Sequence, residues 1–246
     1  VGVAQDPDSG INSVKSYQLS KNAHFTLAVK ESPDGNKYPE LVLDKPMDRE
    51  KQSSHILILT AVDGGDPVRS GTAQIRINVT DANDNPPVFT EEIYKVSLRE
   101  NLPKDSLVLQ VRAADKDEGS NAQITYFLSN TQDHTRTLFY LNPENGRITN
   151  KGDIDFEETN TFMLGVEARD GGGQIAHSKV QIEIIDENDN SPEVTFTSVS
   201  SPIPEDSLPG TVIALIKVRD QDTGENGEVK CHIEHNLPFK ITSTSN

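Results

Sequence analysis

Apolar residues in this chain fall on every second position, in short runs separated by turn residues. Ala73, Ile75, Ile77 and Val79 alternate with Gln74, Arg76, Asn78 and Thr80, the period of a strand with one buried face. Val180, Ile182 and Ile184 alternate in the same way with Lys179, Gln181 and Glu183. Phe162, Leu164, Val166 and Ala168 mark another strand, matched earlier by the apolar run Ile56 to Val62, and Tyr94, Val96 and Leu98 mark a further one. Turn residues punctuate the runs at Pro33-Asp34-Gly35, Gly64-Gly65 and Asn142-Pro143-Glu144-Asn145-Gly146. No stretch carries a sustained helical stripe. About seven short strands per ~105 residues predict an all-β chain of tandem antiparallel β-sandwiches with Greek-key connections.

The pattern repeats. Asp81-Ala82-Asn83-Asp84-Asn85-Pro86 returns as Asp186-Glu187-Asn188-Asp189-Asn190-Ser191-Pro192, 105 residues later. Asp6-Pro7-Asp8 with Gly10 and Asn12 reappears as Asp115-Lys116-Asp117 with Gly119 and Asn121, then as Asp220-Gln221-Asp222 with Gly224 and Asn226. Asp48-Arg49-Glu50 and Asp63-Gly64-Gly65 return as Asp155-Phe156-Glu157 and Asp170-Gly171-Gly172, each 107 residues on, and Glu100-Asn101 as Glu205-Asp206. Clusters recurring at one period are an internal repeat, not chance turn chemistry. The period predicts three segments: 1–85, a repeat lacking its opening strand; 86–190, a complete repeat; and 191–246, the first half of a third. The prolines hold the two D-x-N-D-N stretches out of helix and central strand, so each is an extended hinge between sandwiches.

Charge changes the picture more than composition does. The formal charge is −16, from 39 acidic and 23 basic residues, which excludes a nucleic-acid partner. Setting aside fifteen acids of these clusters (Asp6, Asp8, Asp48, Glu50, Asp63, Asp84, Glu100, Asp115, Asp117, Asp155, Glu157, Asp170, Asp189, Asp220 and Asp222) leaves 24 that nearly balance the 23 basic residues. Carboxylates gathered in this way repel one another unless cations join them, and Asp, Glu and Asn supply hard oxygen ligands of the kind calcium takes. A single cysteine, Cys231, excludes a disulfide framework. No run approaches the ~20 apolar residues of a membrane span. No signal-peptide pattern opens at Val1, so the chain reads as fully soluble or as a segment of something longer.

Other chemistries find little support. An EF-hand starting at Asp6, Asp115 or Asp220 needs an acid at loop position twelve, where Tyr17, Tyr126 and Cys231 stand. Gly171-Gly172-Gly173 is not followed by a phosphate-loop lysine, and no G-x-S-x-G elbow accompanies the six scattered histidines. Paired carboxylates also serve glycosidases, but these recur in every repeat, as ligands do and single active sites do not. Asn78-Val79-Thr80 is a glycosylation sequon, with Asn78 on the outward face of its strand.

The set x-E-x, D-R-E, D-x-N-D-N-x-P, D-x-D and D-G-G at these spacings resembles the extracellular repeats of cadherins, over the whole chain. More narrowly, Lys37-Tyr38-Pro39-Glu40-Leu41-Val42-Leu43, Leu43-Asp44 before Asp48-Arg49-Glu50, Leu59 to Pro67 and Ser70-Gly71-Thr72 resemble the second repeat of a clustered protocadherin of gamma or beta type. Pro204-Glu205-Asp206 and Pro209 to Ala214 resemble the opening of a fourth.

The resemblance implies three calcium ions in each complete linker. In the first linker it implies Asp48, Glu50, Asn83, Asp84, Asp115, Asp117 and Asp170 as side-chain ligands, with carbonyls of Ala82, Asn85 and Asn121. In the second it implies Glu100, Asp155, Glu157, Asn188, Asp189, Asp220 and Asp222, with carbonyls of Glu187, Asn190 and Asn226. Asp6, Asp8, Asn12 and Asp63 would form half of a preceding linker. Phe156 stands where arginine is usual, without expected loss of metal, and Asp81 and Asp186, first in their motifs, are expected outside the ligand set. The resemblance further implies a non-enzymatic adhesion protein: the extracellular part of a single-pass plasma-membrane protein at cell junctions. Its partner would be the same protein on an opposing cell, met antiparallel with repeat two against repeat three. Lys37, Tyr38 and Leu41 are candidate contact residues, cis partners would be met through membrane-proximal repeats, and no small-molecule substrate is expected. Two other classes remain open, a calcium-dependent enzyme and a calcium-stiffened spacer without self-recognition.

Overall fold

The computed structural model describes residues 4–33, 35, 37–234 and 237–242; Asp34, placed by the sequence in a turn, lies outside the described residues. The chain forms two compact units, Val1–Asn85 with Lys116–Asn121, and Pro86–Asp115 with Ala122–Asn246.

In the first unit a 3-10 turn, Gly10–Asn12, precedes β1 (Val14–Leu19), β2 (Phe25–Glu31), β3 (Lys37–Leu43), β4 (Ser54–Asp63) and β5 (Ser70–Asn78). Strands β1, β4 and β5 form one antiparallel sheet in that order, and β2 and β3 form a hairpin. The alternation decides which half of the β4 apolar run goes inside: His55, Leu57 and Leu59 are buried, whereas Ile56 and Ile58 face solvent. Tyr17, Phe25 and Pro39 are buried with them, and the Phe25 ring lies edge-on to His55 at 5.4 Å.

The second unit opens with β6 (Val88–Phe89), β7 (Ile93–Arg99), β8 (Leu107–Gln110), β9 (Ala113–Ala114) and β10 (Thr125–Ser129). It continues through a six-residue helix α1 (Asp133–Leu138), β11 (Phe139–Leu141), β12 (Arg147–Asn150), β13 (Thr161–Arg169) and β14 (Ile175–Ile185). A four-stranded sheet, β10-β13-β14-β7, faces a three-stranded one, β11-β12-β8. Leu164, Val166, Val180 and Ile182 of the first and Phe139 and Ile148 of the second belong to one core cluster. The Phe139 and Phe162 rings meet edge-on at 5.3 Å. Beyond it β15 (Glu193–Val199) pairs with β16 (Ala214–Arg219), and every residue of β15 is exposed.

Two features depart from the sequence reading. Helix α1 carries no apolar stripe and is too short for periodicity to reveal. The pairing of β7 with β14 is parallel, running from Ile93 opposite Lys179 to Arg99 opposite Ile185, rather than antiparallel throughout. Alternation of side chains reports which face is buried and carries no information about strand direction.

The β13 pattern makes Leu164 the test of this core. Its side chain is fully buried, so Leu164→Ala should destabilise the second unit by ~2–5 kcal/mol in denaturant titration.

Candidate metal centres at the joints

The parallel pair fixes the geometry of the joint after β14. Because β7 and β14 run the same way and stop in register, both deliver their following residues to the same end of the sandwich. Glu100, just past β7, is buried there and accepts two backbone N–H groups, from Glu187 at 2.6 Å on Oε1 and from Phe156 at 2.7 Å on Oε2. The loop carrying Asp155 and Glu157 reaches the same end, where the Asn160 carbonyl accepts the Ile184 N–H at 2.9 Å. Antiparallel pairing of β13 with β14 sends Asp170, after β13, to the opposite end, where it lies with Asp115.

The hinge residues fold into the same local shape twice. The Asp84 N–H reaches the Ala82 carbonyl at 2.8 Å, and Asp189 N–H the Glu187 carbonyl at 2.9 Å, across Asn83 and Asn188. The Asn85 side-chain amide donates to Asp117 Oδ1 at 2.8 Å and to Asp84 Oδ1 at 2.7 Å; Asn190 does the same to Asp222 and Asp189 at 2.8 and 2.9 Å. Asp222 N–H is held by Asp220 Oδ1 at 3.0 Å.

Carboxylate oxygens from Glu50, Asp81 and Asp117 gather within 4.8 Å of one another in the first unit. In the second unit Glu100, Glu157 and Asp189 form one such group, and Glu157, Asp186 and Asp222 another. Asp115 and Asp170 bring theirs equally close. Not every expected ligand joins them. Asp48 is drawn onto Lys51, whose ammonium lies 2.6 Å from Oδ2 and holds the carboxyl below its usual pKa. Asp155 Oδ1 accepts the N–H groups of Glu157 and Glu158. Among the described residues Asp6, Asp8 and Asp63 form no group of three acids: Asp6 accepts Asp8 N–H, Asp63 accepts those of Gly65 and Arg69, and Asn12 is exposed.

Asp81 and Asp186, expected outside the ligand set, stand inside the acidic groups. Asn121 and Asn226 explain why: their side-chain amides donate to Asp81 Oδ2 at 2.9 Å and Asp186 Oδ2 at 2.8 Å, turning each carboxylate inward. The signal was present in the sequence, since the Asp and its Asn recur 40 residues apart in both copies.

Burial raises the pKa of Asp81, but N–H donation from Glu118, the Asn121 amide and Arg49 outweigh it and hold the group ionised. Glu157 goes the other way. Burial, reinforced by Asp155 and Glu100 nearby, pushes it up to about 7 against the pull of a backbone hydrogen bond. Its Oε1 is buried without a hydrogen-bond partner, as are Asp186 Oδ1 and Asp170 Oδ2. Buried carboxylate oxygens without donors are costly unless something cationic meets them. The donors present are all hard oxygens, which fit calcium and not the nitrogen and sulfur sets of zinc.

A cadherin domain model matches residues 2–80 and 94–185. The chain belongs to the cadherin family. Cadherin domains are generally calcium-binding, in keeping with this donor set. The chain is 56% identical over 242 residues to human protocadherin gamma-B2, covering 98% of this chain and 26% of that protein. It therefore spans about a quarter of the length of the curated relatives it matches. A solved structure of protocadherin gamma-B2 extracellular cadherin domains 1–5 superposes with a TM-score of 0.93 at 52% identity, over 98% of this chain and 46% of that one. One of protocadherin gamma-B7 domains 1–4 superposes with a TM-score of 0.86 at 53% identity, over 97% and 58%. Of the gamma and beta types, gamma fits. Protocadherins are adhesion proteins rather than enzymes. Among the described residues no helix is long and apolar enough to cross a membrane.

The raised Glu157 carboxyl makes a metal-free prediction. A folded pKa above the unfolded value means the folded state holds the proton longer, so Glu157 should cost stability as pH rises from ~4.5 towards ~7. In chelator, thermal melts of Glu157→Gln should fall less over that window than those of the parent.

Proposed function

We propose that this chain is a calcium-stiffened, homophilic recognition segment of a gamma-type protocadherin ectodomain, made of repeats two, three and part of four. The segments would be 1–85, 86–190 and 191–246. Numbering from the second repeat rests on the motifs of residues 37–72, and the 58% share of a four-repeat structure suits a chain of this length. The observation that carries the calcium reading is the set of buried, donorless carboxylate oxygens on Glu157, Asp170 and Asp186. The joint residues would hold three ions per complete linker. In the first these are Glu50, Asp84, Asp115, Asp117 and Asp170, with Asp81 added and Asp48 released from Lys51. In the second they are Glu100, Asp155, Glu157, Asp189, Asp220 and Asp222, with Asp186 added. Bound calcium supplies positive charge at that point. The chain's part is to hold the oxygens close and to relieve their repulsion only when the ions are present, which stiffens the joint.

Adhesion would be homophilic and antiparallel, repeat two against repeat three of a molecule on the opposing cell. The whole protein would be a single-pass plasma-membrane protein, with cis partners met through membrane-proximal repeats; a protocadherin gamma-B7 segment of domains 3–6 is described as a cis dimer. Strand β3 offers the candidate trans contact: Lys37 is exposed, Tyr38 and Leu41 are half-buried, and Val42 and Leu43 beside them face solvent. Asn78, the candidate glycosylation site, is exposed at the end of β5. A long interface of modest contacts discriminates by clashes and unpaired charges.

Two measurements check this reading. Scattering with and without calcium should give one mass but a broader distribution of lengths in chelator, and Asp189→Ala should weaken calcium binding by about tenfold or more in calorimetry. Unchanged shape and affinity would remove calcium from the joints. Lys37→Glu in the complete ectodomain should reduce bead aggregation while leaving calcium binding intact; aggregation at the parent level would exclude β3 from the contact. An ectodomain that never self-associates would be a spacer.

A further inference from the structure

The two copies of the hinge are not electrically alike. In the first, the Arg49 guanidinium sits among oxygens: Nε lies 2.5 Å from Asp81 Oδ1, and Nη1 3.1 Å from Glu118 Oε2. Its Nη2 lies 2.7 Å from Glu50 Oε1 and 3.2 Å from the Lys116 carbonyl. Its side chain is 14% exposed, so this is no loose surface pair. With Oδ2 accepting Glu118 N–H and the Asn121 amide, both oxygens of Asp81 are partnered.

The second copy keeps half of this arrangement. Thr223 N–H and the Asn226 amide still reach Asp186 Oδ2, at 3.2 and 2.8 Å. Phe156 stands at the position of Arg49, however, and Thr223 at that of Glu118, so both ends of the ion pair are gone together. Phe156 packs instead against the core cluster, and Asp186 Oδ1 is left buried without a hydrogen-bond partner.

We propose that Arg49 is a positioning residue, a built-in counter-ion that clamps the 116–121 loop onto Asp81 without metal, and that the 221–226 loop has no such clamp. The guanidinium suits this role because its fixed fork reaches several oxygens at once and does not lose its charge. The first hinge therefore keeps its acidic residues arranged when metal is absent, whereas the second relies on metal to meet Asp186. Only the calcium arm of this inference rests on the proposed metal sites; the clamp itself exists in chelator.

Hydrogen exchange read by mass spectrometry tests it on this protein in chelator. Peptides covering 116–121 should exchange more slowly than those covering 221–226. Arg49→Gln should speed the first loop by about tenfold without touching the second, the scale of one lost charge-assisted hydrogen bond. Arg49→Lys should restore part of the protection. Glu118→Thr, at a side chain 71% exposed and with the residue found in the second copy, should act in the same direction without endangering folding. Equal exchange of the two loops in the parent, or unchanged 116–121 exchange in both Arg49→Gln and Glu118→Thr, would overturn the clamp. Adding calcium reads the metal sites separately: loops that gain no protection from it would count against those sites while the chelator comparison still decides the clamp.

Discussion

Carboxylates crowded at low exposure are the constraint on which this molecule turns. Glu100 is spent on two backbone N–H groups, which fix it in place, and Glu157 is then pushed towards neutrality by burial and by its neighbours. Water cannot reach Glu157 Oε1, Asp186 Oδ1 or Asp170 Oδ2 to offset their charge, and no donor does so. A pair of unit charges about 4 Å apart interacts by roughly 4 kcal/mol near a protein surface, so several together rival the stability of a domain. Such an arrangement persists because the sandwich around it is strong enough to hold it. It is also poised to bind whatever cation fits.

The sandwich supplies that strength without help from the joint. Its core cluster lies within the second unit's own two sheets, and the strands that build it need only their local alternation. The joint residues follow the strands and are placed by where those strands end. The parallel β7–β14 pair carries most of this placement, because it brings Glu100 beside Asp186 and Glu187. The core residues and the clustered acids are thus different residues, which lets the repeat keep one core plan while its joints vary, as Arg49 and Phe156 do.

Much of this was legible in the residues. The alternation in β13 and β14 named Leu164, Val166, Val180 and Ile182 as core, and the 105-residue echo located both hinges. Alternation does not convey direction, so the parallel pair, and with it the reason Glu100 is buried, is visible only in the structure. The acids were harder to sort. Asp48 and Asp155 begin the same motif, yet Lys51 follows one and Glu158 the other, and that single difference decides whether the carboxylate is neutralised locally. Motif position alone keeps Asp81 and Asp186 apart from the ligands, whereas the Asn placed 40 residues later in each copy turns them inward.

The same comparison explains why a repeat need not repeat its electrostatics. An arginine in a nearly buried acidic site lowers repulsion permanently, whereas a metal lowers it only when bound. A hinge with the first device retains order as the ion leaves; a hinge without it converts the departure of the ion into motion. On the proposed reading, placing Arg49 with Glu118 in one copy, and Phe156 with Thr223 in the other, would grade a single chain into a joint that tolerates metal loss and one that responds to it. The grading needs no change in the sandwiches, since Phe156 gains packing against the core where Arg49 gains charge partners. On that reading the response of each joint to metal would be set separately, through one residue inside the motif that does not itself offer a ligand atom.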